Sequence, residues 1–244
     1  MERRRPAGKK MERRRPAGKK KPNMKKTIHN CPELMETIDR MGFLPLLGGD
    51  IEGFSADEMV APECRYRVLP DGGWEWPLWQ WKGPVVTEGG YVYGKFFGGK
   101  AGFITRRWWP DFCNYRRSLH PLPAEDSIEG TILAVLQVNG SMITRDLRRA
   151  CGFDGPKMRG KFDSYVTRLQ AACRIVTEDF VYPRDKHDRP YGWGWALLNT
   201  PEHLLGHEAC LCGHTPEESH QLLLAHFRQI VPYATERQLA KVLG

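Results

Sequence analysis

Residues Ser127–Asn199 read SIEGTILAVLQVNGSMITRDLRRACGFDGPKMRGKFDSYVTRLQAACRIVTEDFVYPRDKHDRPYGWGWALLN, and this stretch decides the fold. A first helix is predicted by apolar residues at helical spacing, namely Ile132, Val135 and Leu136. Asn139-Gly140 ends that helix, and Thr144 is expected to be the N-cap of a second short helix. Glycines and a proline then break the chain before a third, longer helix.

The third helix carries one narrow apolar stripe, about 60° wide, on its surface. The residues of this stripe are Phe162, Val166, Leu169 and Cys173. Strands are predicted around Ile175-Val176, Phe180-Tyr182 and Tyr191–Leu198, with the polar turn Arg184–Arg189 between them. Three helices followed by a strand–turn–strand outline a winged helix, whose third helix usually enters the major groove of DNA while the wing contacts its backbone.

Outside this stretch, a β-hairpin is predicted around Gly98-Gly99, and the tryptophans from Trp74 to Trp81 are interpreted as a strand segment. We therefore predict an α+β protein with a β-rich N-terminal subdomain packed on a winged-helix domain and a C-terminal helical extension. The expected parts are a disordered basic tail (1–26), an α/β subdomain with aromatic-rich strands (27–120), the winged helix (127–200) and C-terminal helices (201–244).

The positive charge of the chain is unevenly distributed. Residues 1–26 hold thirteen Lys/Arg against two Glu, whereas the other residues hold 24 Lys/Arg against 27 Asp/Glu. The basic tail repeats ten residues verbatim, as Met1–Lys10 and Met11–Lys20. Such a tail is either a nucleic-acid-binding arm or, the interpretation we favour, an alternative start, a duplication or a cloning scar. Residues 127–193 alone carry a positive balance within the rest, with eleven Lys/Arg against eight Asp/Glu.

Composition limits the class of protein. No apolar run approaches the ~20 residues of a membrane span, and the N-terminus lacks the apolar region of a secretory signal. Seven cysteines, an odd number without regular spacing, are typical of reduced thiols. We therefore expect a soluble, cytoplasmic protein with no membrane partner.

The basic side chains of the predicted winged helix, together with one serine, are the candidate DNA contacts. They are Lys157, Arg159, Lys161, Ser164 and Arg168 on the third helix, with Arg174, Arg184, Lys186 and Arg189 on the strand and wing. Interspersed aspartates favour the alternative of a solvated helix face. We predict double-stranded DNA as the partner. The alternative is a non-catalytic regulatory or protein-interaction module, and a protein partner and the oligomeric state are left open.

Several short motifs together resemble one family. They are Trp74-Glu75-Trp76, Trp81-Lys82-Gly83-Pro84, Tyr93-Gly94-Lys95-Phe96-Phe97, Trp109-Pro110-Asp111-Phe112, Asn114-Tyr115-Arg116-Arg117, Thr167-Arg168-Leu169-Gln170 and Tyr191-Gly192-Trp193. Over about residues 42–205 the chain resembles small bacterial proteins labelled AlkZ-related. The namesake enzymes are larger DNA glycosylases, built from several winged helices, that excise alkylated bases and unhook interstrand crosslinks. The resemblance implies DNA binding and a role in the repair of alkylated or crosslinked DNA.

The resemblance also suggests a catalytic candidate, Gln170. The chemistry of the namesake enzymes is associated with a Gln–apolar–Gln motif, and this chain has Leu169-Gln170-Ala171-Ala172 in place of the Leu-Gln-Met-Gln or Leu-Gln-Met-Gly of related small proteins. Gln170 would position a water with the help of a carboxylate, or would serve as a structural amide. Enzymatic activity is left open; if present, it is that of a DNA N-glycosylase, a hydrolase.

Two further groups of side chains have alternative interpretations. The tryptophans, with Tyr91, Tyr93, Phe96 and Phe97, either stack on an extruded base or, as we favour, fill the core of a small β domain. Zinc ligands are offered by a crowded run of His203, His207, Cys210, Cys212 and His214. Because Cys-x-Cys chelates less well than Cys-x-x-Cys, and the resemblance implies no metal, we predict neither a metal nor another cofactor.

Overall fold

The computed structural model describes residues 27–70, 72–155, 157–189 and 192–244. The helices are α1 (Cys31–Met41), α2 (Ala56–Met59), α3 (Pro62–Arg65), α4 (Pro77–Thr87), α5 (Trp109–Leu119), α6 (Ile128–Asn139), α7 (Thr144–Ala150), α8 (Arg159–Ala171), α9 (Pro201–Leu205), α10 (Pro216–Ile230) and α11 (Glu236–Leu243). The strands are β1 (Phe43–Pro45), β2 (Arg67–Val68), β3 (Trp74–Glu75), β4 (Val92–Phe97), β5 (Lys100–Ile104), β6 (Met142–Ile143), β7 (Val176–Val181) and β8 (Trp195–Asn199). The repeated basic tail lies outside the described residues. A helix with the length and apolar character of a membrane span is absent from the described ranges.

One antiparallel sheet joins the two halves of the chain. Its six strands lie in the order β1-β5-β4-β7-β8-β6, so the predicted N-terminal hairpin β4–β5 lies beside the hairpin β7–β8. The connection is the pair Tyr93–Thr177 between β4 and β7. The mixed α and β class is therefore confirmed. The sequence pattern did not predict that the N-terminal strands and the segment after α8 share one sheet.

Two apolar clusters lie along this sheet. The larger one contains residues of the N-terminal half and of α10 and α11. The smaller one is formed by α6, α7 and α8, with Ile132, Leu136, Leu147 and Phe162 all fully buried. The apolar residues that the sequence places at helical spacing in these helices therefore include the fully buried ones. Cys173 is buried but belongs to the larger cluster, because α8 ends at Ala171 and Cys173 has a left-handed φ of 56°.

The segment predicted as a winged helix has the order α6-β6-α7-α8-β7-β8, and β8 lies between β6 and β7 in the sheet. The short strand β6 was not predicted, whereas α6 ends at Asn139 with Gly140 as its C-cap, as expected. Thr144 is not an N-cap: it is the first residue of α7, and its hydroxyl donates to Ala196 O at 3.0 Å. Of the predicted returning strand, Tyr191 lies outside the described residues and the strand begins at Trp195.

The tryptophan-rich segment is mostly helical, which corrects the predicted strand. Only Trp74–Glu75 is extended, and Pro77 then occupies the first turn of α4. Proline is favoured there because its fixed φ suits a helix and its missing N–H would have no helical partner. The alternation of Trp74 and Trp76 suggested a strand, but Trp76 is the residue before the helix.

Two C-terminal helices were predicted, and both are present. Thr215 and Thr235 each form a capping box at the start of α10 and α11, respectively. Leu223 and Phe227 of α10 are buried in the larger cluster, where Phe43 and Phe227 lie with ring centroids 4.9 Å apart. This packing places α10 directly against α5.

Candidate nucleic-acid interface

Three exposed cations stand at the beginning of α8. Lys157 precedes the helix, and Arg159 and Lys161 lie in its first turn. None of the three forms an ion pair with another residue that the structure describes. The N-terminal end of a helix carries partial positive charge from its free N–H groups, so this end of α8 favours an anion such as a phosphate.

The other two candidates on α8 are engaged within the fold. Arg168 Nη2 lies 2.5 Å from Glu129 Oε1, and its Nη1 donates to Ser164 Oγ at 3.1 Å. The guanidinium also lies over the Tyr165 ring, 4.5 Å from its centroid. Contact of Arg168 or Ser164 with DNA would therefore require these interactions to be given up.

The loop between β7 and β8, the predicted wing, presents two further exposed cations, Lys186 and Arg189. Arg184 is held by Asp188, whose carboxylate lies 3.1 Å from Nη1. Asp185 Oδ1 accepts hydrogen bonds from the backbone N–H groups of His187 and Arg189 at 2.8 and 2.9 Å. Asp185 and Asp188, two of the interspersed aspartates, therefore have a local role, because they hold the turn that presents these cations.

Arg174 does not lie on a strand, as predicted, but in the turn between α8 and β7. It is half-buried in a cleft of about 460 Å³ that is also lined by Arg117, Gln137, Glu202 and His203. Burial and the neighbouring charge of Arg117 lower the pKa of Arg174. Its Nε is buried without a hydrogen-bond partner among the described residues. Arg174 thus stands apart from the cations of α8 and the wing.

Gln170 is buried, with 3% of its surface exposed. Its Oε1 accepts from the backbone N–H of Lys95 at 2.9 Å, and its Nε2 donates to Thr177 Oγ1 at 3.5 Å. The register of β4 against β5 shifts between Gly94 and Phe97, and Lys95 lies in this irregular stretch. Gln170 therefore satisfies the backbone where β4 leaves its regular ladder, and it joins α8 to β4 and β7.

We predict that Gln170→Ala lowers the free energy of unfolding by about 1–3 kcal/mol, because it leaves the part-buried Lys95 N–H without its acceptor. Gln170→Glu keeps an acceptor there and places an ionisable carboxyl at a buried position. Urea unfolding of both variants measures the change. A loss below about 0.5 kcal/mol for Gln170→Ala would contradict the structural role.

A tryptophan-lined cavity of about 340 Å³ lies between the wing and α4. Its lining residues are Leu69, Trp74, Glu75, Trp76, Trp79, Gln80, Gly192 and Trp193. Trp76 and Trp79 stack with centroids 5.4 Å apart, and Trp79 Nε1 donates to Trp193 O at 3.2 Å. Trp74 and Trp193 remain 61% and 58% exposed, so these two rings are surface rather than core. Tyr93, Phe96 and Phe97, by contrast, are buried, which is the core role that we favoured from the sequence. The aromatic side chains are thus divided between the surface and the core.

Lys82, which the sequence did not single out as a site residue, packs against Trp79, which lines this cavity. It is fully buried, with Nζ 3.1 Å from Tyr182 Oη and 3.9 and 3.6 Å from the ring centroids of Trp79 and Phe180. Burial lowers the pKa of Lys82 to about 7, although the negative charge of Asp179 opposes this effect. A lysine inside a Trp-Lys-Gly-Pro run gives no sign in the sequence that it faces inward.

Arg116 and Arg117 are structural rather than phosphate-binding. Arg116 is 3% exposed and donates to Ala171 O, Leu243 O and Phe96 O at 2.8, 2.7 and 3.1 Å. Arg117 donates to Cys173 O at 2.8 Å and pairs with Glu202 at 2.6 Å. Both arginines therefore satisfy carbonyl groups at the C-terminal end of α8, which have no partner within the helix.

Comparison with known proteins gives one family. A family model described as AlkZ related matches residues 28–244, which confirms the resemblance and extends it to both sides of residues 42–205. Searches of the curated proteins and of the solved structures found no significant match to the chain.

Proposed function

Because the chain belongs to the AlkZ-related family, we propose that it binds double-stranded DNA and serves in the repair of alkylated or crosslinked DNA. The observation that supports DNA binding most strongly is the set of five exposed cations at the start of α8 and on the wing. They are Lys157, Arg159, Lys161, Lys186 and Arg189. They occur in a chain whose residues 27–244 hold fewer Lys/Arg than Asp/Glu, so the positive charge is local.

We propose that residues 127–199 act as a winged helix. The order of elements, with β8 between β6 and β7, supports this, since a helix with a cationic beginning is followed by a two-stranded wing. In such a module the N-terminal residues of the third helix face base edges and phosphates, and the wing contacts the backbone. Lys157, Arg159 and Lys161 then contact phosphates at the edge of the groove, and Lys186 and Arg189 contact flanking phosphates.

The proposed activity is binding rather than hydrolysis of an N-glycosidic bond. Gln170 already has a partner for each of its two polar groups, and only 3% of its surface reaches solvent. A residue that positions a water must reach the water and the reacting carbon. The exposed rings of Trp74 and Trp193 beside the wing suit base stacking, which is frequent in nucleic-acid-binding surfaces.

The test is the affinity for duplex DNA of a triple variant, Lys157→Gln, Arg159→Gln and Lys161→Gln. We expect the dissociation constant to rise about 10- to 100-fold, because each lost contact is worth roughly 0.5–1 kcal/mol. Fluorescence anisotropy with a duplex at fixed salt measures the change. The measurement is repeated with the chain beginning at Met24, which removes the repeated tail.

The matched control changes the same amount of charge elsewhere, by Arg40→Gln, Arg228→Gln and Lys241→Gln. These three side chains are exposed and lie on α1, α10 and α11. We expect at most a threefold loss from this variant, through net charge alone. Equal losses for the two variants would refute the α8 surface, and loss of all binding with the tail would assign the affinity to residues 1–23.

A further inference from the structure

Asp111 meets two potential metal ligands from a distant part of the chain, Cys212 and His214, beside α5. Cys212 Sγ lies 3.4 Å from Asp111 Oδ1 and 3.9 Å from His214 Nδ1, and His214 Nδ1 lies 2.8 Å from Asp111 Oδ1. Asp111 belongs to the first turn of α5, whereas Cys212 and His214 lie in the loop before α10. One ligand atom from each residue thus lies within 4.8 Å of the other two.

These separations suit a tetrahedral zinc ion. With bonds of about 2.3 Å to sulfur and about 2.0 Å to nitrogen and oxygen, the edges between ligand atoms are roughly 3.3–3.6 Å. The sulfur–oxygen distance already lies in this range. The sulfur–nitrogen and nitrogen–oxygen distances lie outside the range by about 0.5 Å or less. Small side-chain rotations bring the three atoms to bonding positions, because His214 has 49% of its side chain exposed.

The carboxylate is held by a second set of residues. Ser219 Oγ donates to Asp111 Oδ1 at 2.8 Å, and Asn114 Nδ2 donates to Ser219 Oγ and to His214 O, both at 2.9 Å. Burial alone would raise the pKa of Asp111, but hydrogen bonds from His214, Ser219 and Cys212 together lower it. Supporting partners of this kind are typical of metal ligands, since they fix the orientation of the ligand atom.

We propose that Asp111, Cys212 and His214 bind one Zn²⁺ ion, with a water molecule from solvent in the fourth position. A thiolate and an imidazole favour zinc over magnesium or calcium. The thiol proton of Cys212 is released to solvent when the sulfur–zinc bond forms. Bound zinc fixes the loop before α10 to α5 and so stabilises the C-terminal helices. This site is independent of the proposed DNA surface.

The other ligands of the crowded histidine and cysteine run do not join this group. His203 lines the cleft near Arg174, and the thiol of Cys210 is hydrogen-bonded to Cys113, whose own thiol also contacts Cys173. The sequence offers Cys212 and His214 as potential zinc ligands, but their run alone led us to predict no metal. A carboxylate about one hundred residues earlier in the chain gives the third ligand.

The proposal is tested by Zn²⁺ titration of the full-length protein after removal of metal with a chelator. We expect one equivalent of zinc to bind and to raise Tm, and Co²⁺ in its place to give a thiolate-to-metal absorption band. We expect Cys212→Ser, Asp111→Asn and His214→Asn each to weaken zinc binding at least about tenfold. Even the loss of a supporting partner typically costs about 10- to 100-fold. Ser219→Ala, a change to a positioning residue, should fall in that range.

Two matched controls are available. His207→Asn changes an exposed histidine at the start of a short 3-10 helix, His207–Cys210, and Cys151→Ser changes a half-buried thiol just after α7. Both should bind zinc as the original protein does. Failure of the original protein to bind zinc, a Co²⁺ complex without the thiolate band, or equal losses in His214→Asn and His207→Asn would each overturn the proposal. His214 is exposed, so its variant tests the site without a change to the core.

Discussion

Replacement of Arg116 by alanine is expected to lower the free energy of unfolding by about 3–5 kcal/mol, the largest single effect that we predict. The guanidinium of this residue donates to carbonyl groups of three separate elements: Phe96 in β4, Ala171 at the end of α8 and Leu243 in α11. In the Arg116→Ala variant, these three carbonyl groups lose their hydrogen-bond donor while they remain in the protein interior. The side-chain volume next to Phe112, whose ring lies 5.4 Å from the guanidinium carbon, is also lost.

Urea unfolding, monitored by circular dichroism, measures this effect. The control is Arg107→Ala, which removes an exposed arginine two residues before α5 and should change stability by no more than about 0.5 kcal/mol. A loss below about 1 kcal/mol for Arg116→Ala would contradict the assignment of Arg116 as the link between α5, α8 and the C-terminus.

Replacement of Lys82 by methionine is expected to raise the free energy of unfolding by about 1–4 kcal/mol at pH 6. Lys82 is fully buried, and its neighbours are two aromatic rings and the Tyr182 hydroxyl rather than a carboxylate in contact. Methionine keeps most of the volume and removes the charge. Tyr182 is half-buried, so its hydroxyl can bind water once the lysine is gone.

The pH dependence of the difference in unfolding free energy shows whether the buried charge of Lys82 causes it. The pKa of Lys82 is about 7 in the folded protein against an ordinary value of 10.5, so between these values the unfolded chain binds a proton that the folded chain does not. Stability of the original protein relative to Lys82→Met should therefore rise with pH through this window, by at most about 1.4 kcal/mol per pH unit. Below about pH 7 both states are protonated and the difference is constant.

Unfolding curves at pH 6, 8 and 9.5 for the original protein and the variant give this dependence. The control is Lys157→Met, which removes an exposed lysine and should change stability by no more than about 0.5 kcal/mol. A difference between the original protein and Lys82→Met that does not vary with pH would show that Lys82 keeps its ordinary pKa.

The sequence predicted the elements that depend on local patterns. Phe162, Val166 and Leu169 form the buried face of α8 because helical spacing places them on one side. Gly98-Gly99 gives the turn between β4 and β5, and Thr235 caps α11. These features depend on residues within a few positions of each other, so the amino-acid sequence alone predicts them.

The features that the sequence did not predict depend on contacts between distant residues. The pair Tyr93–Thr177 makes one sheet from two hairpins, and Asp111 meets Cys212 across about one hundred residues. Lys82 and Arg116 have the side chains of surface residues but are buried, because aromatic rings and free carbonyl groups of other elements surround them. Among the candidate DNA contacts, the sequence did not distinguish Lys161 from Arg168. Arg168 forms an ion pair with Glu129, whereas Lys161 forms none with a residue that the structure describes.

The central claim, that the start of α8 contacts DNA phosphates, is tested most directly by the salt dependence of DNA affinity. The logarithm of the binding constant should fall with the logarithm of salt concentration by about 0.9 for each phosphate contact. With the chain that begins at Met24, we expect the slope of the Lys157, Arg159 and Lys161 triple variant to be shallower by about 2.7 than that of the unchanged chain. A slope equal to that of the unchanged chain would contradict the claim.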